Sequence, residues 1–368
     1  MNAYGISTGS KINSKPVDWV WELDECKAVT PGGLVRIDYH GPGQDWLVQQ
    51  ILDRGLSPLL LIQGTMSAST PPATHAAIVD AAITKWKGKI AVVEVGGNEP
   101  NRNGQTPQAH ANLVQAGYIA AKAVDPAIDV INGGLAPAPT GSTSLLAYDT
   151  HEYAKQLIPL IKGFITHFNM HLYEDPYKHG DWNNWSRCFD LYAGDIASKN
   201  KTPIRVLLDA AGMGGIPICS TESGGPIAKY GEQGVGTIVK NAVSELAYRQ
   251  ADDEMSFLLV FSMRDNDAAT GYGLCRLDHS RRPAWTELQK GNCQVILPRA
   301  STPPPPPPPP VIDTDKVIAF IEEAWEEAIQ TTITGKQFAA APATKGHWQN
   351  SKSDLNAALK ELGGSPLP

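Results

Sequence analysis

Eight short apolar runs, separated by amphipathic or polar stretches, occupy the first ~300 residues of this 368-residue chain, and that alternation predicts an α/β fold, a (β/α)8 TIM barrel. Two further observations agree. The first run is followed by STGSKINSKP, which lacks the GxGxxG phosphate loop expected of an open, doubly wound sheet. An unbroken run of prolines, Pro303–Pro310, then closes off a barrel-sized segment. Such a run forms an extended rod of ~3.1 Å per residue and cannot join a core. The expected organisation is a barrel domain at 1–298, a proline-rich linker at 299–310 and a small helical module at 311–368.

The strand-like runs are Ala3–Ser7, Leu34–Asp38, Pro58–Gln63, Ile90–Val95, Asp129–Asn132, Phe164–His171, Pro217–Thr221 and Ser256–Phe261. Each is brief and rich in Val, Ile, Leu or Phe, as strands buried on both faces are. Helices are expected between them, at Pro16–Val29, Asp45–Arg54, Thr74–Lys87, Pro107–Val124, Ser144–Ile161, Trp182–Ser198 and Gly234–Gln250. Gly, Pro, Asn and Asp mark most junctions. Beyond the prolines, Thr314–Gln330 carries apolar residues at helical spacing, and Ser353–Leu362 ends at two glycines, a common helix stop.

Composition narrows the function classes. Hydrophobic residues make up 42% and charged residues 19%, and the formal net charge is −7. These describe a globular protein with a large core and count against a nucleic-acid partner, which needs a basic face. No apolar run approaches the ~18 residues of a membrane helix, and the N-terminus has no charged-then-apolar signal pattern. The expectation is a chain made in the cytoplasm without a conventional leader, with release by lysis, virion association or a non-classical route left open. Five scattered cysteines show no CxxC pair or metal spacing, so buried thiols are expected, with Cys275 and Cys293 as the one pair to test for a disulfide. Seven histidines (His75, His110, His151, His167, His179, His279 and His347) fall into no partner pattern.

Catalytic groups of a barrel sit at the C-terminal ends of its strands. Those ends carry Arg36, Asp38 and His40 on strand two, Asn98 and Glu99 on strand four, His171 and Tyr173 on strand six, Glu222 on strand seven, and Arg264 and Asp265 on strand eight. Strands four and seven lie nearly opposite one another, so Glu99 and Glu222 face each other over the mouth. Glycoside hydrolysis needs such a pair, one carboxyl protonated to donate to the leaving oxygen and one ionised. In VVEVGGNEPN, Gly96 and Gly97 let the chain bend, Pro100 delays the next helix, and Asn98 is placed to meet a sugar hydroxyl. Asp265 is expected to form an ion pair or to brace the eighth loop. Asp38, His40 and His171 are the alternative, metal-binding set.

The motifs VEVGGNEPN and STESGG resemble the fourth- and seventh-strand motifs of clan A glycoside hydrolases, with a family 5- or 39-like feel. The clan's strand-two Arg is matched by Arg36 in LVRID, its His-x-Tyr by His171-Leu-Tyr173, and its closing phrase by GYGLCRLDHSRRPAWTEL. The resemblance covers about residues 1–290. It implies a retaining enzyme with Glu99 as acid/base and Glu222 as nucleophile, no metal or cofactor, and a microbial or cell-surface polysaccharide substrate cut internally. Arg36, Asp38, Asn98, His171, Tyr173 and Arg264 are the implied substrate-binding residues.

Two departures stand out. Glu94 to Glu99 is one residue longer than E-x-x-N-E-P, which a β-bulge could absorb. The clan's Trp near the end of strand eight is missing from LLVFSMRDND. Trp182 and Trp185 are the substitutes for sugar stacking, packing on the barrel's outer ring being the other reading. An appended module on a polysaccharide hydrolase without a leader is an arrangement seen in bacteriophage particles. The module's role is open between carbohydrate, a larger particle and a second copy. The alternative function is a non-catalytic carbohydrate-binding or phage structural protein on the same barrel.

Overall fold

The computed structural model describes residues 4–8, 16–63, 69–136, 150–173, 204–250, 255–265 and 271–291. They belong to the first of two units, Met1–Pro303 and Pro304–Pro368. The proposed helical module, Trp182 and Trp185 therefore lie outside the described residues.

The first unit is a (β/α)8 barrel. Its strands are β1 (Tyr4–Ser7), β2 (Leu34–Tyr39), β3 (Ser57–Ile62), β4 (Val92–Val95), β5 (Asp129–Asn132), β6 (Phe168–Asn169, resuming at Leu172–Tyr173), β7 (Ile218–Gly224) and β8 (Met255–Phe261). Every ladder is parallel, and β1 pairs with both β2 and β8. The ring closes between β5 and β6 through two single bridges, Ile131 with His167 and Leu135 with Met170. Around it stand α1 (Pro16–Val29), α2 (Asp45–Asp53), α3 (Pro72–Trp86), α4 (Pro107–Val124), α5 (Thr150–Leu160), α6 (Ile204–Ala210), α7 (Ile227–Gln250) and α8 (Pro283–Lys290).

Local chemistry explains these elements. β2 and β4 are buried along their whole length, so only parallel strands covered on both faces suit them. α4 starts where Thr106 accepts a hydrogen bond from the Ala109 N–H at 3.1 Å and Pro107 takes the first helical position, where its missing N–H costs nothing. Boundaries differ most from expectation at two places. The sixth strand is not one run over Phe164–His171. Met170 N–H bonds to Cys219 O while His171 N–H turns to Leu135 O, and this break lifts the His171 ring into the barrel mouth. α7 begins at Ile227 rather than Gly234, because Gly231, at φ 65°, joins two helical pieces across a kink.

Barrel interiors are usually filled by branched aliphatics. Here Ser7, Arg36, Asp38, Glu94, Asn132, Asn169, His171 and Glu222 are all buried. Burying that much polarity is costly unless each group is paired.

Candidate active site

Arg36 organises the site. It leaves β2 fully buried, and its Nε donates to Glu94 Oε2 at 2.6 Å. Nη1 donates to Glu222 Oε1 at 2.6 Å and to Ser7 Oγ at 3.2 Å. Nη2 donates to Glu94 Oε1 at 3.1 Å and Asn98 Oδ1 at 2.7 Å. Its planar fork suits two carboxylates at once. Burial alone would lower the Arg36 pKa, but Glu94 and Glu222 outweigh it and the guanidinium stays charged. Burial also pushes Asp38, on the same face of β2, up to about 6 against the pull of Arg36.

Glu222 stands near the C-terminal end of β7, a strand buried throughout. Its second oxygen accepts from Tyr173 Oη at 2.7 Å. Burial works to raise its pKa, but His171 and Arg36 prevail and hold the carboxylate below its ordinary range. Burial and the Glu222 charge drive the Tyr173 phenol far up, so it remains a donor.

Glu99 reaches the same place by a different route. The β4 ladder keeps register to Val95, opposite Asn132, so the additional residue is not taken up by a bulge in the strand. It is absorbed after β4, where Gly96 and Gly97 stand at φ 91° and 90° and Glu99 itself at φ 46°. Glycine adopts such angles freely and other residues do not. A Cβ at Gly133 would lie 1.7 Å from Gly97 O, so the two glycine pairs must pass backbone to backbone. Gly134 ties the loop to the hub. Its N–H donates to Glu94 Oε1 at 2.9 Å, and its C=O accepts from the Glu99 N–H at 3.1 Å.

His171 joins the two glutamates. Its Nδ1 lies 3.2 Å from Glu99 Oε1 and 3.6 Å from Glu222 Oε2, and its Nε2 lies 3.3 Å from Thr221 Oγ1. Burial would lower its pKa, but Glu222 and Glu99 overcome that and the imidazole is shifted up. One ligand atom from each of Glu99, His171 and Glu222 falls within 4.8 Å of the others. This is the grouping among the described residues close enough to share a metal ion; the set of Asp38, His40 and His171 is not. The Arg36 cation, already 2.6 Å from Glu222, works against a second cation there.

The expected residues thus divide. Arg36, Asn98, Glu99, His171, Tyr173 and Glu222 form one hydrogen-bonded cluster, and Asp38 is coupled to it by charge. Arg264 does not join it among the contacts seen. Its guanidinium is taken by Glu22 at 3.1 Å and Asp18 at 3.5 Å on α1, because β8 ends beside α1. Asp265 forms a buried ion pair, with Arg282 at 2.6 Å. His40 is exposed. Cys275 is a free buried thiol, pushed up to about 12 by burial, and Cys293 lies outside the described residues.

Glu94 was missed as a site residue, although a charge inside the apolar run VVEV is a visible signal, since a buried carboxylate must be paired. Asn169 and Thr221, which contact Glu94 and His171, carried no such signal. An aromatic wall was missed too. Phe261, at the end of β8, meets Tyr173 and Tyr272 edge-on at 6.3 and 5.8 Å, and Tyr272 meets Tyr173 at 5.9 Å. Phe261 stands where the resemblance led one to expect a Trp.

No family model matches the chain, and no curated protein matches it. Solved structures do. An FMN-binding β-glucuronidase from Facaelibacterium prausnitzii L2-6 superposes with a TM-score of 0.56 at 12% identity, over 79% of this chain and 44% of that one. A glucosidase from Croceicoccus marinus gives 0.54 at 16% identity, over 79% and 67%. A GH5_18 variant from Streptomyces cattleya in complex with Manb1-4GlcNAc gives 0.52 at 14% identity, over 84% and 83%. The chain spans less than half the length of the first of these. At such identities the likeness is one of fold, and the fold in common is the barrel.

Proposed function

We propose that this protein is a retaining glycoside hydrolase of clan A type that cuts a microbial or cell-surface polysaccharide internally. The observation that carries the reading is the closeness of Glu99 and Glu222, whose oxygens lie within 4.8 Å of one another. Retaining enzymes hold their carboxyls ~5–5.5 Å apart, whereas inverting ones open to ~6.5–9.5 Å to admit water. That solved structures of similar fold include glycosidases adds support.

The two carboxyls have different surroundings, as the two roles require. Glu222, held ionised by Arg36 and oriented by Tyr173, attacks the anomeric carbon. Glu99, whose side chain is 22% exposed against 9% for Glu222, gives its proton to the departing oxygen as that carbon–oxygen bond breaks. In the second step Glu99 takes a proton from water, the water oxygen attacks the anomeric carbon, and Glu222 leaves as a carboxylate. Asn98 Oδ1 accepts from Arg36 Nη2, which leaves the Asn98 Nδ2 as a donor to a sugar hydroxyl. The wall of Phe261, Tyr173 and Tyr272 offers an apolar surface for the sugar ring.

The test is a screen of aryl glycosides and bacterial surface polysaccharides, with the anomeric form of the first product read by proton NMR. Retention is expected, with Glu99→Gln and Glu222→Gln inactive. Inversion would overturn the double displacement. Turnover of no substrate by the wild-type protein would overturn the hydrolase reading.

A further inference from the structure

Gly96 is held by two imidazoles that come from different helices. His75, in the first turn of α3, accepts the Gly96 N–H on Nε2 at 3.2 Å. His110, in the first turn of α4, places Nδ1 3.2 Å from Gly96 O, which also takes Gln105 Nε2 at 3.4 Å. Both rings are fully buried. The fit is close. A Cβ at Gly96 would lie 2.6 Å from the His110 ring, and one at Gly117 would lie 3.2 Å from His75 Nε2.

The partners dictate the protons. A backbone N–H only donates, so His75 Nε2 must be bare. A carbonyl only accepts, so His110 Nδ1 must carry hydrogen. Burial keeps both rings neutral by lowering their pKa values to about 4 and about 3. A neutral ring has one N–H, so each carries it on Nδ1. His75 Nδ1 and His110 Nε2 then have no partner among the described residues. Two buried imidazoles each leave one nitrogen unsatisfied, at a cost, while both satisfy the same glycine. Gly96 opens the doubled-glycine turn that delivers Asn98 and Glu99.

We propose that His75 and His110 are positioning residues. As a pair of Nδ1-protonated rings they clamp both polar atoms of Gly96, and so fix where Glu99 stands against His171 and Glu222. The catalytic consequence rests on the function proposed above; the clamp itself does not.

Isosteres of opposite reach test the clamp. A Gln amide reaches the position of Nε2, and an Asn amide that of Nδ1. His75→Gln and His110→Asn therefore restore the bond, while His75→Asn and His110→Gln do not. In the first step, the one that kcat/KM reports, a misplaced acid harms only substrates that need protonation on leaving. The mismatched pair is expected to lose about 10- to 100-fold in kcat/KM on alkyl glycosides, a range set by an ~1 Å misplacement. Dinitrophenyl glycosides should stay within about 3-fold in kcat/KM, with kcat and KM falling together as the second step, which needs Glu99 as base, becomes limiting. The matched pair should stay near wild type on both. Equal behaviour of matched and mismatched variants would overturn the proposal. A second measurement needs no substrate: long-range proton–nitrogen NMR of histidine-labelled, full-length protein at pH 7. Both rings should show the Nδ1–H tautomer. An Nε2–H or charged ring at either position would overturn the clamp even if no substrate is found. With the tautomers as expected but no turnover, the hydrolase reading alone would fall.

Discussion

Replacing Glu94 by Gln tests the hub without any knowledge of the substrate. The Glu94 carboxylate accepts from Arg36 Nε at 2.6 Å and Nη2 at 3.1 Å, from the Gly134 N–H at 2.9 Å and from Asn169 Nδ2 at 3.1 Å. Every one of these partners is a donor. Gln keeps the shape but turns an NH2 group toward one of them and removes the charge, leaving Arg36 to Glu222 alone. Breaking a buried pair from one side costs about 3–5 kcal/mol. With a urea m-value of about 3 kcal/mol per M, the midpoint should fall by about 1–1.7 M. The control is Glu287→Gln, which breaks the pair with a Lys290 that is 64% exposed and should cost less than ~1 kcal/mol. Urea unfolding followed by tryptophan fluorescence compares them. If the two midpoints coincide, the account of Arg36 and Glu94 as a coupled buried pair is refuted.

Three other outcomes are expected. Tyr173→Phe removes the 2.7 Å donor to Glu222. A bond to a charged acceptor is worth ~1.5–3 kcal/mol, so the Glu222 pKa rises and the acid limb of kcat/KM should move up by about 1–2 pH units; an unmoved limb counts against Glu222 as nucleophile. The folded-state pKa values of His75 and His110, about 4 and about 3, lie below the unfolded value of ~6.5, so unfolding takes up protons. Their stabilisation is complete above that value and is lost as pH falls toward 4, at up to about 2.7 kcal/mol per pH unit for two protons. His75→Gln should remove about half of that slope in urea midpoints taken from pH 7 to 4. Gly134→Ala would set a Cβ 2.2 Å from His171 Nε2 and should abolish turnover, whereas Gly43→Ala, with nothing within 4 Å, should leave turnover and melting temperature unchanged.

Much of the barrel was legible because its strands are continuous apolar runs. LVRID and VVEV can be buried only in a sheet covered on both faces. The strand-end rule then brought Arg36, Glu99 and Glu222 to one mouth. What stayed hidden was set by contacts distant in the chain. The backbone turns from Cys219 of β7 at Met170 to Leu135, just past β5, at His171 rather than pairing along one strand, and nothing within HFNMHLYED announces that. The doubled glycine looked like a strand irregularity; it became a turn because Gly133 and Gly134, almost forty residues away, give it room. Arg264 sits at a strand end like Arg36, but acid residues of α1 claim it, and sequence position alone does not separate those two fates. His75 and His110 carried no spacing signal, since their common partner is a backbone.

The two-sided hold on Arg36 makes the position of Glu222 replaceable. Were that carboxylate trimmed to a small neutral side chain, the guanidinium would still have two bonds to Glu94. The interior would keep a neutral ion pair rather than an orphan cation. The barrel thus carries a spare counter-charge beneath its proposed nucleophile. Variants emptied at Glu222 should be foldable vessels, able to hold an intact glycan for crystallography or, supplied with an activated glycosyl fluoride, to join sugars instead of parting them.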